Sequence, residues 1–140
     1  MVELIRASER YVSELALVAE DNGAIIGHVM FSYVTLRGAE EFEVLQLSPV
    51  AVTPAQQNRG TGGALILAGI EKADARREPL IVVLGHPPYY PRFGFEPAHE
   101  HGIEPPSPAM AGPAFMVLRL SAYQERYRGQ VIFPPAFDVT

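Results

Sequence analysis

A mixed α/β (α+β) fold is predicted by three features of this 140-residue sequence. Strand-like segments fill 15–52, one amphipathic helical pattern follows a glycine-rich turn, and a continuous β-branched run follows that helix. Alternation at period 2 marks half-buried strands, and spacing near 3.6 marks a helix with one wet face. A helix lying between two strands is the connection that parallel neighbours require. The size fits one domain over 1–140, and neither a repeat nor a composition break divides it.

The elements follow in order. Val2 to Leu17 reads as helical in its first half, and Leu15 to Glu20 as a strand. Asp21-Asn22-Gly23 is a turn signal between two β-like runs, so a hairpin is expected. Ala24 to Leu36 continues as one strand, with Ile26, His28 and Met30 alternating against Ile25, Val29 and Phe31. Phe42 to Val52 is the next strand. Ser48-Pro49 interrupts it, and since proline cannot donate to a ladder, a bulge or break belongs there. The best helix is Ala64 to Arg77, with Leu65, Leu67, Ala68, Ile70 and Ala73 assigned to its buried side and Pro79 ending it. Leu80 to Leu84 is apolar throughout and reads as a buried central strand. A loop rich in Pro, Tyr and Phe runs to Pro97, and 98–113 shows no clear element. Ala114 to Leu120 reads as a strand, Ser121 to Arg128 as a short helix, and Gln130 to Phe133 as a last strand.

Composition excludes several classes of function. The chain is 48% apolar and 19% charged, as soluble globular proteins are. It has no cysteine, which rules out disulfides, thiolate metal sites and cysteine nucleophiles. A formal net charge of -5 argues against the broad basic face of a nucleic-acid binder. No apolar run approaches the roughly 20 residues that span a bilayer. The charged stretch Met1 to Arg10 is not a secretory signal. A soluble, cytoplasmic protein without membrane or nucleic-acid partners is therefore expected.

The segment Gln57-Asn58-Arg59-Gly60-Thr61-Gly62-Gly63 carries the strongest signal. A glycine-rich turn entering a helix presents unpartnered backbone N–H groups and the positive end of the helix dipole, which together cradle an anion. Arg59 adds a full charge. The loop lacks the Gly-Lys-Ser/Thr ending of a P-loop, because Gly62-Gly63-Ala64 stands there, so nucleotide hydrolysis is not expected. Gly60-Thr61-Gly62 supplies only part of a dinucleotide fingerprint, and its strand comes late in a meander.

The remaining pattern, Gln57-x-x-Gly60-x-Gly62 before an amphipathic helix, resembles the coenzyme A pyrophosphate loop of the GNAT superfamily of N-acetyltransferases. Downstream, Tyr90-Pro91-Arg92-Phe93-Gly94-Phe95 matches that superfamily's Y-x-x-x-G-F signature and follows a buried strand. The fuller strings Leu47-x-Pro49-Val50-Ala51-Val52-x-Pro54 and Leu84-Gly85-His86-Pro87-x-Tyr89-Tyr90-Pro91-Arg92-Phe93-Gly94-Phe95 resemble one branch of predicted acetyltransferases, as does Val131-Ile132-Phe133-Pro134-Pro135-Ala136-Phe137. The resemblance covers roughly Leu15 to Phe137. It implies a mostly antiparallel central sheet with a V-shaped splay and flanking helices. It further implies acetyl-coenzyme A as cosubstrate, a small-molecule or peptide amine as acceptor, and no metal.

The resemblance also implies site residues. Backbone groups of Val50, Ala51 and Val52 would bind the pantetheine arm and polarise the thioester carbonyl. The amides of Gln57, Asn58, Arg59, Gly60, Thr61, Gly62 and Gly63 would hold the pyrophosphate, with Gly60 and Gly62 permitting close approach. Tyr90 maps onto the tyrosine that protonates the leaving thiolate, a step that benefits from a nearby O–H donor; packing against cofactor or substrate is its alternative role. No general base is identified. Gln46 and Ser48 are not competent bases. Glu41 and Glu43 are either bases, acting directly or through water, or solvated strand-end charges, and His86 is either an acid–base group or a loop histidine. His28 reads as a packed or exposed strand residue. His99 and His101 form H-x-H without a further ligand set. The superfamily usually carries one more strand–helix unit ahead of this segment, so an open sheet edge closed by a partner chain, such as a homodimer, is one expectation. A non-catalytic coenzyme A-binding or sensing domain is the alternative to an enzyme.

Overall fold

The computed structural model describes residues 17–21, 24–47, 51–52, 61–85, 88–108, 112 and 114–132. In chain order these form β1 (Leu17–Asp21), β2 (Ala24–Val29), β3 (Phe31–Arg37), β4 (Glu41–Leu47), β5 (Ala51–Val52), α1 (Thr61–Ala75) and β6 (Leu80–Leu84). After them come β7 (Glu96–Pro97), β8 (Ile103–Glu104), β9 (Phe115–Arg119) and β10 (Gly129–Ile132), with short 3-10 turns at Tyr90–Phe93 and Ala98–His101. The expected helix in the first residues lies outside the described residues.

The expected antiparallel pair forms: β1 and β2 run antiparallel with Asp21 opposite Ala24, while the turn signal Asn22-Gly23 itself lies outside the described residues. The strand expected over Ala24 to Leu36 is instead divided at Met30. Its first part, β2, joins a three-stranded sheet ordered β1-β2-β5, while β3 joins a seven-stranded sheet ordered β7-β9-β6-β4-β3-β10-β8. The partner strand divides at the matching place. Phe31 stands opposite Leu47, and His28 opposite Ala51. Strands β2 and β5 thus belong to one sheet and β3 and β4 to the other; the bulge or break expected at Ser48-Pro49 lies outside the described residues.

Helix α1 begins at Thr61, three residues before the expected Ala64, and ends at Ala75. Its buried positions are Leu65, Ile66, Gly69 and Ala73. Leu67, expected on that face, is 54% exposed. At about 100° per residue Leu67 points some 200° from Leu65, so apolar character alone misplaced it. The helix lies over β2, β1 and β5. On this side of the sheets Val29, Phe31, Leu45, Leu47, Ile81, Val83 and Met116 form one core with Leu65, Ile66 and Ala73. The opposite face holds a second core of Val34, Leu36, Val44, Leu80, Val82, Val117 and Val131, among others.

The end of α1 is a Schellman motif: Glu78 N–H donates to Ala73 O at 3.1 Å and Arg77 N–H to Asp74 O at 3.0 Å. Arg77 carries the left-handed conformation, with φ of 66°. A side chain there costs about 1–2 kcal/mol, partly balanced by glycine's extra freedom in the unfolded chain. Arg77→Gly is therefore expected to stabilise the protein by about 0.5–1 kcal/mol and raise the melting temperature by about 3 °C. A lower melting temperature would show that the arginine's own contacts outweigh its backbone strain.

The short helix expected over Ser121 to Arg128 is absent; that segment forms turns. Ser121 instead donates both its N–H (3.0 Å) and its hydroxyl (2.6 Å) to Asp74 Oδ1, holding that carboxyl below its ordinary pKa. Tyr127 packs edge-on against Phe42 at 4.6 Å. Local side-chain bonds and aromatic burial thus replace helical periodicity. The segment 98–113, without an assignment from sequence, contributes one of the 3-10 turns and the short strand β8.

Candidate functional site

Strands β4 and β6 are parallel neighbours only at Leu45–Ile81 and Gln46–Val82. Beyond that point they part. β5 continues the β4 line but pairs with β2, whereas β6 stays with β9 as far as Leu84 opposite Phe115. Among the described residues β5 and β6 share no ladder. A wedge therefore opens between them, and Leu84, in an otherwise buried strand, is 42% exposed at its far side.

The aromatic turn after β6 sits at this wedge. Tyr90 opens the 3-10 turn, and Gly94 closes it in the left-handed region (φ of 98°), donating its N–H to Pro91 O at 3.0 Å. This is the conformational reason for glycine in Tyr90-x-x-x-Gly94-Phe95. Tyr90 packs edge-on against Tyr89 (centroids 5.1 Å apart) and Phe95 (5.7 Å). Burial, with a smaller contribution from Tyr89, holds the Tyr90 phenol above its ordinary pKa, so the hydroxyl keeps its proton well into the alkaline range.

The same turn touches the start of α1. A Cβ placed on Gly63 would meet Phe93 Cζ at 3.6 Å, so the Phe93 ring rests on that glycine at ordinary contact distance. Thr61, Gly62 and Gly63 form the first turn of α1, where backbone N–H groups lack intrahelical partners. No acidic side chain occupies that turn. Gly63 and Phe93, thirty positions apart in the chain, are thus in contact at the start of α1.

The family model of the Acetyltransferase (GNAT) domain matches residues 3–98. This chain belongs to the GNAT acetyltransferase family. Among curated relatives, the uncharacterized N-acetyltransferase YjhQ of Escherichia coli K12 is 41% identical over 96 residues, which is 67% of this chain and 53% of the relative. The uncharacterized N-acetyltransferase YhbS of the same strain is 35% identical over 108 residues, 76% of this chain and 64% of the relative. This GNAT chain therefore spans between 53% and 64% of the length of those relatives. A crystal structure of YhbS from Escherichia coli in complex with CoA superposes with a TM-score of 0.87 at 31% identity, covering 98% of this chain and 75% of the other. A GNAT family acetyltransferase from Brucella melitensis in complex with acetyl-CoA gives a TM-score of 0.76 at 33% identity, with the same coverages. The mixed α/β sheet and its helix are the GNAT fold.

Of the residues expected at the site of this GNAT domain, Ala51 and Val52 lie in β5, Thr61 to Gly63 in α1, and Tyr90 at the aromatic turn. Val50, Gln57, Asn58, Arg59, Gly60, Ser48 and His86 lie outside the described residues. Glu41 and Glu43 are exposed on β4, before the register point where Leu45 meets Ile81. Tyr90 follows the opposite end of β6, so the two glutamates stand at the other end of the sheet; Glu41 pairs there with Arg37 at 3.2 Å. His28 lies on β2, opposite Ala51. Gln46 stands where β4 and β6 part, facing Ser32 across the ladder; Gln46 Oε1 and Ser32 Oγ are both buried without a hydrogen-bond partner, and neither residue brings a carboxylate to that point.

One expectation about metal ligands needs correcting. His101 does have acidic company: ligand atoms of Glu96, Glu100 and His101 lie within 4.8 Å of one another. The sequence hid this because Glu96 ends up on the short strand β7 and Glu100 and His101 on the 3-10 turn after it, an arrangement without helix or strand periodicity. Arg119 already holds Glu96 Oε1 through Nε (3.2 Å) and Nη2 (3.0 Å), which makes the cluster an ion-pair network. Sequence reasoning also missed Gly85, whose Cα lies against the Tyr90 ring. Its only signal was a glycine directly after a buried strand.

Proposed function

We propose that this chain is an acetyl-coenzyme A-dependent N-acetyltransferase domain acting by direct transfer to an amine. The observation that carries the reading is the wedge between β5 and β6, with Tyr90 at its mouth and Phe93 resting on the first turn of α1. Acetyl-coenzyme A would place its pyrophosphate on the amides of Gln57 to Gly63. Its pantetheine arm would lie along Val50, Ala51 and Val52, completing the ladder that β6 does not supply. The amine nitrogen attacks the thioester carbonyl, with backbone N–H groups near Val50 to Val52 stabilising the oxyanion. The C–N bond forms, the C–S bond breaks, Tyr90 gives its proton to the departing thiolate, and the amine's proton leaves to solvent. The acceptor is a small-molecule or peptide amine. The CoA and acetyl-CoA complexes of the two structural neighbours support the donor assignment.

The position of Glu41 and Glu43, far from Tyr90 along the sheet, favours a second reading: a domain that binds or senses acetyl-coenzyme A without turning it over. One experiment separates the two. Thiol release from acetyl-coenzyme A is measured with spermidine, a lysine peptide and an aminoglycoside, beside a calorimetric titration of acetyl-coenzyme A. Turnover with any amine is the expected result. Binding without turnover on a broad amine panel points to the sensing domain, and absence of binding removes both readings.

A further inference from the structure

We propose that Gly85 is a positioning residue for Tyr90, its bare Cα forming the seat that fixes the phenol beside the carboxyl end of β6. This rests on the reading of Tyr90 as the proton donor. Gly85 is not among the glycines in the left-handed region, so its backbone does not itself demand glycine. What demands it is space. A Cβ on Gly85 would lie 2.3 Å from Tyr90 Cε2, 3.0 Å from Cδ2 and 3.2 Å from Cζ. The backbone cannot retreat readily, because Gly85 N–H donates to Ala114 O at 2.9 Å, extending the β6–β9 ladder by one residue.

Nor can the ring move aside without disturbing its neighbours. Tyr89 meets it at an interplanar angle of 84° and Phe95 at 74°, so Tyr90 is held by two aromatic rings as well as by the Gly85 backbone. Any side chain at 85 pushes the ring by about 1 Å, and the hydroxyl lies at the far end of that ring. A displacement of that order at a reacting group lowers rates about 100-fold. The cofactor's pyrophosphate and pantetheine contacts, carried by other segments, are left in place.

The test is a double-mutant cycle with the panel amine that gives the fastest thiol release. Gly85→Ala is expected to lower kcat about 10- to 100-fold while the acetyl-coenzyme A dissociation constant stays within about threefold. In a Tyr90→Phe background the same substitution is expected to change kcat by less than about twofold, because the hydroxyl it displaces is already gone. Multiplicative losses, or an unchanged kcat in Gly85→Ala beside a slowed Tyr90→Phe, overturn the positioning role while leaving the acid role intact. A Tyr90→Phe variant as fast as the wild type overturns both. Should Gly85→Ala not fold, the wild-type protein decides: nuclear Overhauser contacts between Gly85 Hα and the Tyr90 ring are expected, and their absence overturns the proposal.

Discussion

Gly69→Ala is expected to destabilise the protein by about 2 kcal/mol, although the same change in an exposed helix interior stabilises by about 1 kcal/mol. Gly69 is buried in the middle of α1. A Cβ there would lie 2.2 Å from Phe31 Cε1 and 2.5 Å from Cζ. Phe31 is fully buried, so its ring has no solvent to move into. Overpacking of this kind typically costs about 1–3 kcal/mol, and a contact this short lies at the upper end, where it exceeds the gain in helix propensity. The melting temperature is expected to fall by about 6 °C, taking roughly 3 °C per kcal/mol for a domain of this size. Combining Gly69→Ala with Phe31→Leu tests the cause. If the clash is responsible, the alanine costs at least about 1 kcal/mol less in that background. Additive losses would mean that α1 tolerates the methyl and that the instability arises elsewhere.

Tyr90→Phe is expected to lower kcat about 100-fold, or ~2.7 kcal/mol in activation free energy, with the affinity for acetyl-coenzyme A little changed. The ring remains to pack on Tyr89, Phe95 and Gly85, so the melting temperature is expected to stay within about 2 °C of the wild type. The pH profile gives a second readout. A general acid must be protonated, so the rate it supports is present below its pKa and is lost as pH rises through it. Burial raises the Tyr90 value above the ordinary 10.0, which places the alkaline fall in kcat above that pH. The phenylalanine variant is expected to lack this limb. An unchanged rate, or a limb that survives the substitution, would exclude Tyr90 as the proton donor.

Much of this arrangement is legible in the residues, and the illegible part has identifiable physical causes. Local signals worked where one residue type has one dominant role, as in the apolar run from Leu80 to Leu84 and the left-handed Gly94. The resemblance carried by the glycine loop and by Tyr90-x-x-x-Gly94-Phe95 pointed to the family that the domain match shows. What failed were inferences that needed a partner. Leu67 is as apolar as Leu65, and only its angle around α1 sends it to the surface. Ser121 to Arg128 has helical composition, yet Asp74 and Phe42 offer its side chains better contacts. Gly69 and Gly85 look like permissive glycines, but each leaves room for a ring, Phe31 in one case and Tyr90 in the other. A glycine chosen for the space it leaves empty has no sequence signature of its own.

The parting of β4 and β6 also has a topological meaning. The β4–β6 pair is parallel, α1 lies between its two strands in the chain, and its immediate neighbours β3 and β9 pair with it antiparallel. Strand β6 leads on to the aromatic turn. Open α/β sheets bind ligands in the crevice at the carboxyl ends of strands where the winding direction changes. In this mostly antiparallel sheet, the carboxyl end of the central parallel strand β6 likewise leads to Gly85 and Tyr90, with Phe93 of the same turn on Gly63 of α1. On the proposed function, donor binding would follow from strand order, and the surrounding loops would be free to vary for different acceptors on one framework.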